Sequence, residues 1–504
     1  MSGGFHVEIA GPVSAPDLSR EFGDAFDSIG GRPAARALVG GRWRDLGDVV
    51  PVSSPIDGSA IGASRAIGRE TVEEAIEFLG ARRAALRAIP AHRRAEMLLR
   101  VAEVLGERAK VLEELLVVEA GKPRGEARGE VEAAVARLRL AGQDLGRLLE
   151  VSIPGEFAGG TEDKRAVVVR VPVGVTAAIT PFNYPLFSPV SKIGPALLAG
   201  NPVIFKPSSN TPLVGAAVAA AFAEAGFSEF LAMVSGPGGV IGDVIVSHPI
   251  VRAVTFTGSS EVGRRIARVA GVKRLHLELG GKAPAIVLDD ADVKAAAERI
   301  AAGSYRLSGQ RCDAVSRVIA LAEVADALVD ELERRRREWR VGDPRDEATR
   351  VGPLIDRKAV ERVEALVSDA SERGAKVVGG GRRWNLYFEP TLLDGVPLEA
   401  RIAWEETFGP VIPVIRAASE AEAVEIANRS DYGLDAAIFT SDVARAWRLA
   451  TEVEAGEVTV NDFPRHGLGL FPFGGVKDSG LGREGVGYSV EELTELRTIV
   501  FRIA

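Results

Sequence analysis

Cysteine is nearly absent, with one in 504 residues. A lone thiol makes no internal disulfide and cannot build a thiolate-rich zinc or iron–sulfur site. Histidine is almost as scarce, at five, which argues against a histidine-built metal centre. An excess of positive charge is also missing: 62 Lys and Arg against 70 Asp and Glu leave a formal charge of −8. Such a chain is a poor match for a phosphate backbone, so nucleic acid is not its main partner. Long apolar runs are lacking; stretches such as 212–222 and 285–288 are too short to span ~30 Å of hydrocarbon. No basic start leads into an apolar run, because Glu8, Asp17, Glu21, Asp24 and Asp27 occupy the opening of the chain. These absences predict a cytoplasmic protein with no metal, no nucleic acid and no membrane partner. Asn and Gln together number eight, a shortage that fits heat stability.

What is present is ordinary globular composition, 46% apolar and 26% charged. At ~100–200 residues per domain the length suits two or three domains. Residues 1–45 read as an extended lead-in interrupted by Gly3, Gly4, Gly11, Pro12 and Pro16. Residues 70–149 read as consecutive amphipathic helices: Met97, Leu98, Val101, Val104 and Leu105 recur at helical spacing, and Gly121 and Pro123 close the run. From 165 onward, short β-rich runs (166–180, 201–208, 230–236, 253–259) alternate with helices near 211–225, 239–246 and 260–269. That alternation implies a parallel sheet covered by helices. A fresh set of strands begins near residue 278, the start of a second α/β unit.

Two glycine-bearing turns sit between predicted strands and helices, Gly236-Pro-Gly-Gly-Val-Ile-Gly242 and Gly258-Ser259-Ser-Glu-Val-Gly263. Backbone N–H groups at a helix start suit a pyrophosphate, although tight strand–helix packing explains such glycines equally well. Lys206, ending a strand, either reaches a ribose or phosphate or is a solvated strand-end lysine. Cys312 lies in SGQRCDA beside Arg311. Free cysteines are commonly small buried hydrophobes, but these polar flanks are a poor core context. A cationic neighbour favours the thiolate, the form that acts as a nucleophile. Glu278, in LELGGK, is either a turn cap or a general base made weaker as an acid by burial. Asn183, in TPFNYP, is either turn chemistry or a donor for a developing oxyanion.

TPFNYP, FKPSS, FTGSSEVG, LELGGK, GQRC, EETFGP and PFGGVKDSG follow one another in this order along the chain. They resemble the aldehyde dehydrogenase superfamily from about residue 40 to the C-terminus. The resemblance implies an α/β protein with a variant Rossmann cofactor domain (1–149 and 172–277), an α/β catalytic domain (278–484), and a small β bridging domain (150–171 and 485–504) for assembly as a homotetramer or homodimer. It also implies that Cys312 is the nucleophile and Glu278 the base for hydrolysis. Asn183 and the Cys312 N–H then form the oxyanion hole. Lys206 and Glu406 would hold ribose hydroxyls, Ser259 the pyrophosphate, and Phe408 the nicotinamide, with Phe182, Gly242, Gly258 and Gly280 around the same cofactor. Three places after Lys206 stands Ser209, where many NAD-specific relatives carry a glutamate; a serine there admits the 2′-phosphate, so NADP is expected, with NAD also a candidate.

Arg311 and Arg465 flank the thiol and the C-terminal loop NDFPRHGLGLFPFGG. Each either meets an anionic substrate or pairs with a local carboxylate, Asp313 or Asp462. With GQRCDA, VGPLI, YGLDAAIF and NDFPRHG, they resemble the archaeal-type non-phosphorylating glyceraldehyde-3-phosphate dehydrogenases. That resemblance implies oxidation of glyceraldehyde 3-phosphate to 3-phosphoglycerate through a thioester, and makes Tyr184 a substrate contact. An arginine that bacterial relatives carry on the preceding helix is replaced by Ala133, for which Arg137 or Arg139 would substitute. Lactaldehyde and succinate-semialdehyde dehydrogenases share nearly every motif, and a catalytically silent structural relative is the alternative of another class.

Overall fold

The computed structural model describes residues 5–465 and 469–503. Five parallel strands form the centre of the first sheet, in spatial order Arg274–Glu278, Val251–Thr257, Val175–Ile179, Val203–Lys206 and Leu231–Met233. The first of these in the chain, Val175–Ile179, lies in the middle, so the connections run outward in both directions from it. The crevice at such a reversal, beyond the carboxyl ends of the strands, is where open α/β sheets bind ligands. Ala37–Val39 and Arg42–Arg44 extend one edge antiparallel, and Gly480–Leu481 the other.

Helices cover both faces of this sheet. Val72, Ala75, Ile76 and Leu79 of helix Arg69–Ala88 fall at i, i+3, i+4, i+7 and pack on one face. Helices Ala91–Glu107, Ala109–Ala120 and Arg124–Arg139 pack on the other with Pro212–Phe222. Gly121 ends helix Ala109–Ala120 in the left-handed region, φ 69°, where its N–H meets Val117 O.

A second, seven-stranded sheet runs Lys376–Gly379, Thr391–Asp394, Val411–Ala417, Val315–Leu321, Ala283–Val287, Asp435–Phe439 and Glu457–Val460. All its pairings are parallel except the first. The two sheets are joined through residues 279–282, directly after Glu278. Gly480–Leu481, inside the range expected for the second unit, returns to pair with Leu277 and Glu278 of the first sheet. A three-stranded antiparallel sheet, Val151–Pro154, Lys164–Pro172 and Thr494–Arg502, stands apart from both.

The alternation from 165 onward has the expected form, but the lead-in does not. Its described part carries a short helix, Leu18–Phe22, and hairpins Phe26–Ile29/Arg32–Ala35 and Ala37–Val39/Arg42–Arg44. Their two-residue turns, Gly30-Gly31 and Gly40-Gly41, all have positive φ. Glycine pairs that break a helical period are the residues that close such hairpins. Among the described residues, no helix is long and apolar enough to cross a membrane, and no group of three or more His, Cys, Asp or Glu is placed to hold a metal ion.

Candidate active site

The carboxyl ends of the first sheet's strands deliver the site. Val175–Ile179 runs out into Phe182 and Asn183, Val203–Lys206 ends on Lys206, Val251–Thr257 runs into Gly258, and Arg274–Glu278 ends on Glu278. Facing them is the loop that carries Cys312, just before strand Val315–Leu321 of the second sheet. The linker between the sheets touches that loop. A β-carbon on Gly281 would come within 2.3 Å of Cys312 O, so only glycine allows the approach.

The segment ahead of Cys312 is bent and strapped. Leu307, Ser308 and Gly309 follow one another in the left-handed region, at φ 50°, 56° and 70°. Such backbone persists where surrounding contacts over-determine it, and here they do. Ser308 Oγ donates to Gly352 O (2.9 Å), Gln310 Nε2 to Pro353 O (3.3 Å), and Ile355 N to Gln310 Oε1 (2.9 Å). Asn183 Nδ2 donates one proton to Gln310 O at 2.8 Å, which fixes the buried amide and leaves its second proton for another acceptor.

Cys312 is half-buried. Burial, with the carboxylates of Asp313, Asp435, Glu278 and Glu406 nearby, pushes its thiol well above the ordinary range. Glu278 is 3% exposed; Oε1 meets His276 Nε2 at 3.1 Å, while Oε2 has no partner. Burial raises its pKa, opposed by the hydrogen bond from His276. The buried pair Lys192–Glu484 (2.7 Å) acts on the same carboxylate from outside its strand.

Cys312 and Asn183 line two cavities at once. One, about 640 Å³, contains Phe182, Lys206, Ser209, Gly242, Gly258, Ser259, Gly280, Glu406 and Phe408, every residue expected around a dinucleotide. The fit is physical. Helix Gly238–Ser247 has no side-chain cap on its N–H groups, and Gly238, Gly239 and Gly242 present open space to the cleft. Lys206 is buried with a single long bond to Pro207 O (3.3 Å), and burial lowers its pKa to about 8. Glu406 is anchored by Gly281 N at 3.0 Å, and Phe408 meets Phe182 edge-on at 5.9 Å. Ser209 is exposed, donating only to Gly236 O.

The second cavity, about 270 Å³, opens on the other side of the thiol and includes Tyr184, Arg306, Arg311, Phe463 and Arg465. Both local pairings occur, Arg311–Asp313 at 3.0 Å and Arg465–Asp462 at 3.3 Å. They do not exhaust the guanidiniums: Arg311, 5% exposed, keeps Nη2 buried without a partner. Arg306, Arg311 and Arg465 stand 5.9, 5.6 and 4.5 Å from the Phe463 ring. Lys122 Nζ lies 4.1 Å from the Tyr184 ring, and Lys122 pairs with buried Glu130. Of the expected substrate loop, residues 466–468 lie outside the described residues.

Arg137 and Arg139 do not fill the place left by Ala133, which itself lines this cavity. Arg137 is buried against Asp144 (2.9 Å), and Arg139 is exposed. The added guanidinium is Arg306, held by two bonds of 2.9 Å to Glu126. Sequence reasoning missed it, along with His276 and Lys192–Glu484. His276 was legible in principle, since residues two apart on a strand share a face; Lys192 and Glu484, 292 residues apart, left no local signal.

The pattern of the aldehyde dehydrogenase family matches residues 43–499. The NADP-dependent glyceraldehyde-3-phosphate dehydrogenase of Streptococcus equinus is 41% identical over 468 residues, 92% of this chain and 98% of that protein. A glutarate-semialdehyde dehydrogenase of Pseudomonas aeruginosa is 40% identical over 475 residues, 92% of this chain and 96% of its own. The crystal structure of the NADP-dependent glyceraldehyde-3-phosphate dehydrogenase of Bacillus halodurans, complexed with NADP, superposes with a TM-score of 0.92 at 40% identity, covering 94% of this chain and all of that one.

Proposed function

The chain belongs to the aldehyde dehydrogenase family, and within it we propose that it oxidises glyceraldehyde 3-phosphate to 3-phosphoglycerate with NADP. The observation that carries the substrate is Arg311 Nη2, a buried donor without a partner beside the thiol. A buried polar group left unpaired is costly, so an anion in the cavity completes the site. A carboxylate is satisfied by one guanidinium edge. A phosphate has three peripheral oxygens and up to two charges, which suits the gathering of Arg306, Arg311 and Arg465 on one ring. The relative from Streptococcus equinus supports the same reading.

The chain's own groups divide the chemistry. Having lost its proton to solvent, Cys312 Sγ attacks the aldehyde carbon as the thiolate, and the resulting oxyanion is met by the spare Asn183 Nδ2 proton and the Cys312 N–H. Bound in the larger cleft, NADP supplies the hydride acceptor. There Lys206 and Glu406 would hold its ribose hydroxyls, the helix starts at Gly238 and Ser259 its pyrophosphate, and Phe182 and Phe408 its nicotinamide. Ser209 leaves room for the 2′-phosphate that a carboxylate would repel. Glu278 then takes a proton from the water that hydrolyses the Cys312 thioester.

A second reading, a semialdehyde carrying a terminal carboxylate, has the relative from Pseudomonas aeruginosa in its favour. The test is a panel: NADP with glyceraldehyde 3-phosphate, succinate semialdehyde, glutarate semialdehyde or lactaldehyde, without inorganic phosphate, following reduced cofactor. We expect kcat/KM for the phosphorylated aldehyde to lead by tenfold or more. A lead for either semialdehyde, or for lactaldehyde, overturns the substrate, and no turnover of any favours a silent relative.

Two further features belong to this reading. The sheet Val151–Pro154, Lys164–Pro172, Thr494–Arg502 leaves Val151, Ile153, Leu496, Val500 and Phe501 exposed, an apolar surface that fits assembly into a homodimer or homotetramer. A lone thiol that must remain reduced fits the cytoplasm.

A further inference from the structure

Glu278 lies on a ladder of three side chains. Strand Arg274–Glu278 runs parallel to Val251–Thr257, with Thr255 opposite His276 and Thr257 opposite Glu278. His276 and Glu278, two residues apart, point to one face. Thr255 Oγ1 lies 3.0 Å from His276 Nδ1, and His276 Nε2 lies 3.1 Å from Glu278 Oε1. All three residues are buried, at 2%, 6% and 3% exposure. A neutral imidazole satisfies the ladder in one tautomer: Thr255 donates its hydroxyl proton to Nδ1, so the ring proton sits on Nε2 and is donated to the carboxylate.

Other charged groups close round the ladder without replacing it. Lys192 and Glu484 act on Glu278 from outside the sheet, and Asp435 and Cys312 from the second sheet's side. Gly474 backs Oε1, since a β-carbon there would lie 2.9 Å from that oxygen and 3.1 Å from Arg483 Cδ. Gly482 separates the imidazole from Glu492, where a β-carbon would come within 3.0 Å of His276 Cδ2 and 3.2 Å of Glu492 Oε1. Lys192 spends its bond on Glu484 at 2.7 Å, whereas His276 Nε2 lies within hydrogen-bond distance of Glu278 Oε1.

We infer that His276 is a positioning residue for Glu278, whose Nε2–H holds Oε1 so that Oε2 is the oxygen that serves the thioester. The inference rests on Glu278 being the deacylating base. As water's oxygen bonds to the thioester carbon, its proton passes to Oε2, the C–S bond breaks, and the Cys312 thiolate leaves. Thr255 acts one step further out by fixing the tautomer.

Two rates test this, with glyceraldehyde 3-phosphate or, should it prove the better substrate, succinate semialdehyde. With enzyme in excess, the NADPH of a single turnover reports acylation of Cys312, which needs no base at Glu278. Steady-state turnover needs deacylation as well. We expect His276→Leu to keep the single turnover within about threefold of wild type and to slow steady-state turnover about 10- to 100-fold. Its rise of kcat with pH should move upward by about one unit or more, because the carboxylate loses a donor that favours its charged form. His276→Gln, which returns an N–H at similar reach, should recover most of the rate and the original profile.

Glu278→Gln separates the two layers. If it turns over like wild type, the base assignment falls. If it stalls after one turnover while His276→Leu keeps the wild-type kcat and pH profile, the assignment stands and the role of His276 falls. Should His276→Leu fail to fold, Thr255→Val decides: slowed deacylation with unchanged single turnover supports the ladder, and no change in either rate overturns it.

Discussion

Arg311, one of the residues lining the Cys312 cavity, reaches Asp313 through one Nε–Oδ1 hydrogen bond of 3.0 Å and leaves Nη2 buried and unpaired. The pairing orients the guanidinium while Nη2 remains without a hydrogen-bond partner. Arg311→Gln should therefore raise KM for glyceraldehyde 3-phosphate about 10- to 100-fold, from ~1.5–3 kcal/mol for a hydrogen bond to a charged group. An uncharged aldehyde should lose no more than about threefold. Arg465→Ala, at a half-exposed side chain, should act in the same direction by less. Equal losses on charged and uncharged aldehydes would remove the anion from the account.

Ser209 occupies the cleft wall with only a bond to Gly236 O. Ser209→Glu should raise KM for NADP about tenfold or more, by placing like charge against the 2′-phosphate, and leave NAD unharmed or improved. Steady-state rates with each nucleotide at equal concentration measure it. An unchanged NADP-to-NAD ratio would mean that the phosphate lies elsewhere.

The buried thiol sets the pH course of its own modification. Because burial and surrounding carboxylates disfavour the thiolate of Cys312, its fraction in the cofactor-free enzyme is small at neutrality and grows with pH. Iodoacetamide inactivation should accelerate by about tenfold per pH unit between 7 and 9, and one equivalent per subunit should abolish turnover. A rate that levels off below pH 8 would contradict the raised thiol, and activity surviving full modification would contradict the nucleophile.

The site was legible where its residues sit in local motifs. Lys206, Gly258 and Glu278 each end or directly follow a strand that alternates with a helix, and strand ends are where such sheets bind ligands. Cys312 had no rival thiol. What stayed hidden depends on distant segments. Arg306 serves the cavity because Glu126, 180 residues away, holds it, and no spacing announces that. Arg137 looked available on its helix, but Asp144 seven residues later claims it. The opening hairpins were hidden for the opposite reason: their signal is local, in the glycine pairs Gly30-Gly31 and Gly40-Gly41, whose positive φ values make the turns, but the reading of 1–45 as an extended lead-in rested on other glycines and prolines.

The straps on Gln310 also bear on how the protein survives its own synthesis. They come from Asn183, 127 residues earlier, and from residues some 45 later, so the surroundings of Cys312 exist only once remote parts of the chain have met. Until then the cysteine has the ~8.5 pKa of an ordinary thiol and is open to peroxide and to stray disulfide exchange. Completion of the fold raises that value, so the finished enzyme keeps in its less oxidisable thiol form the same sulfur it later uses for catalysis.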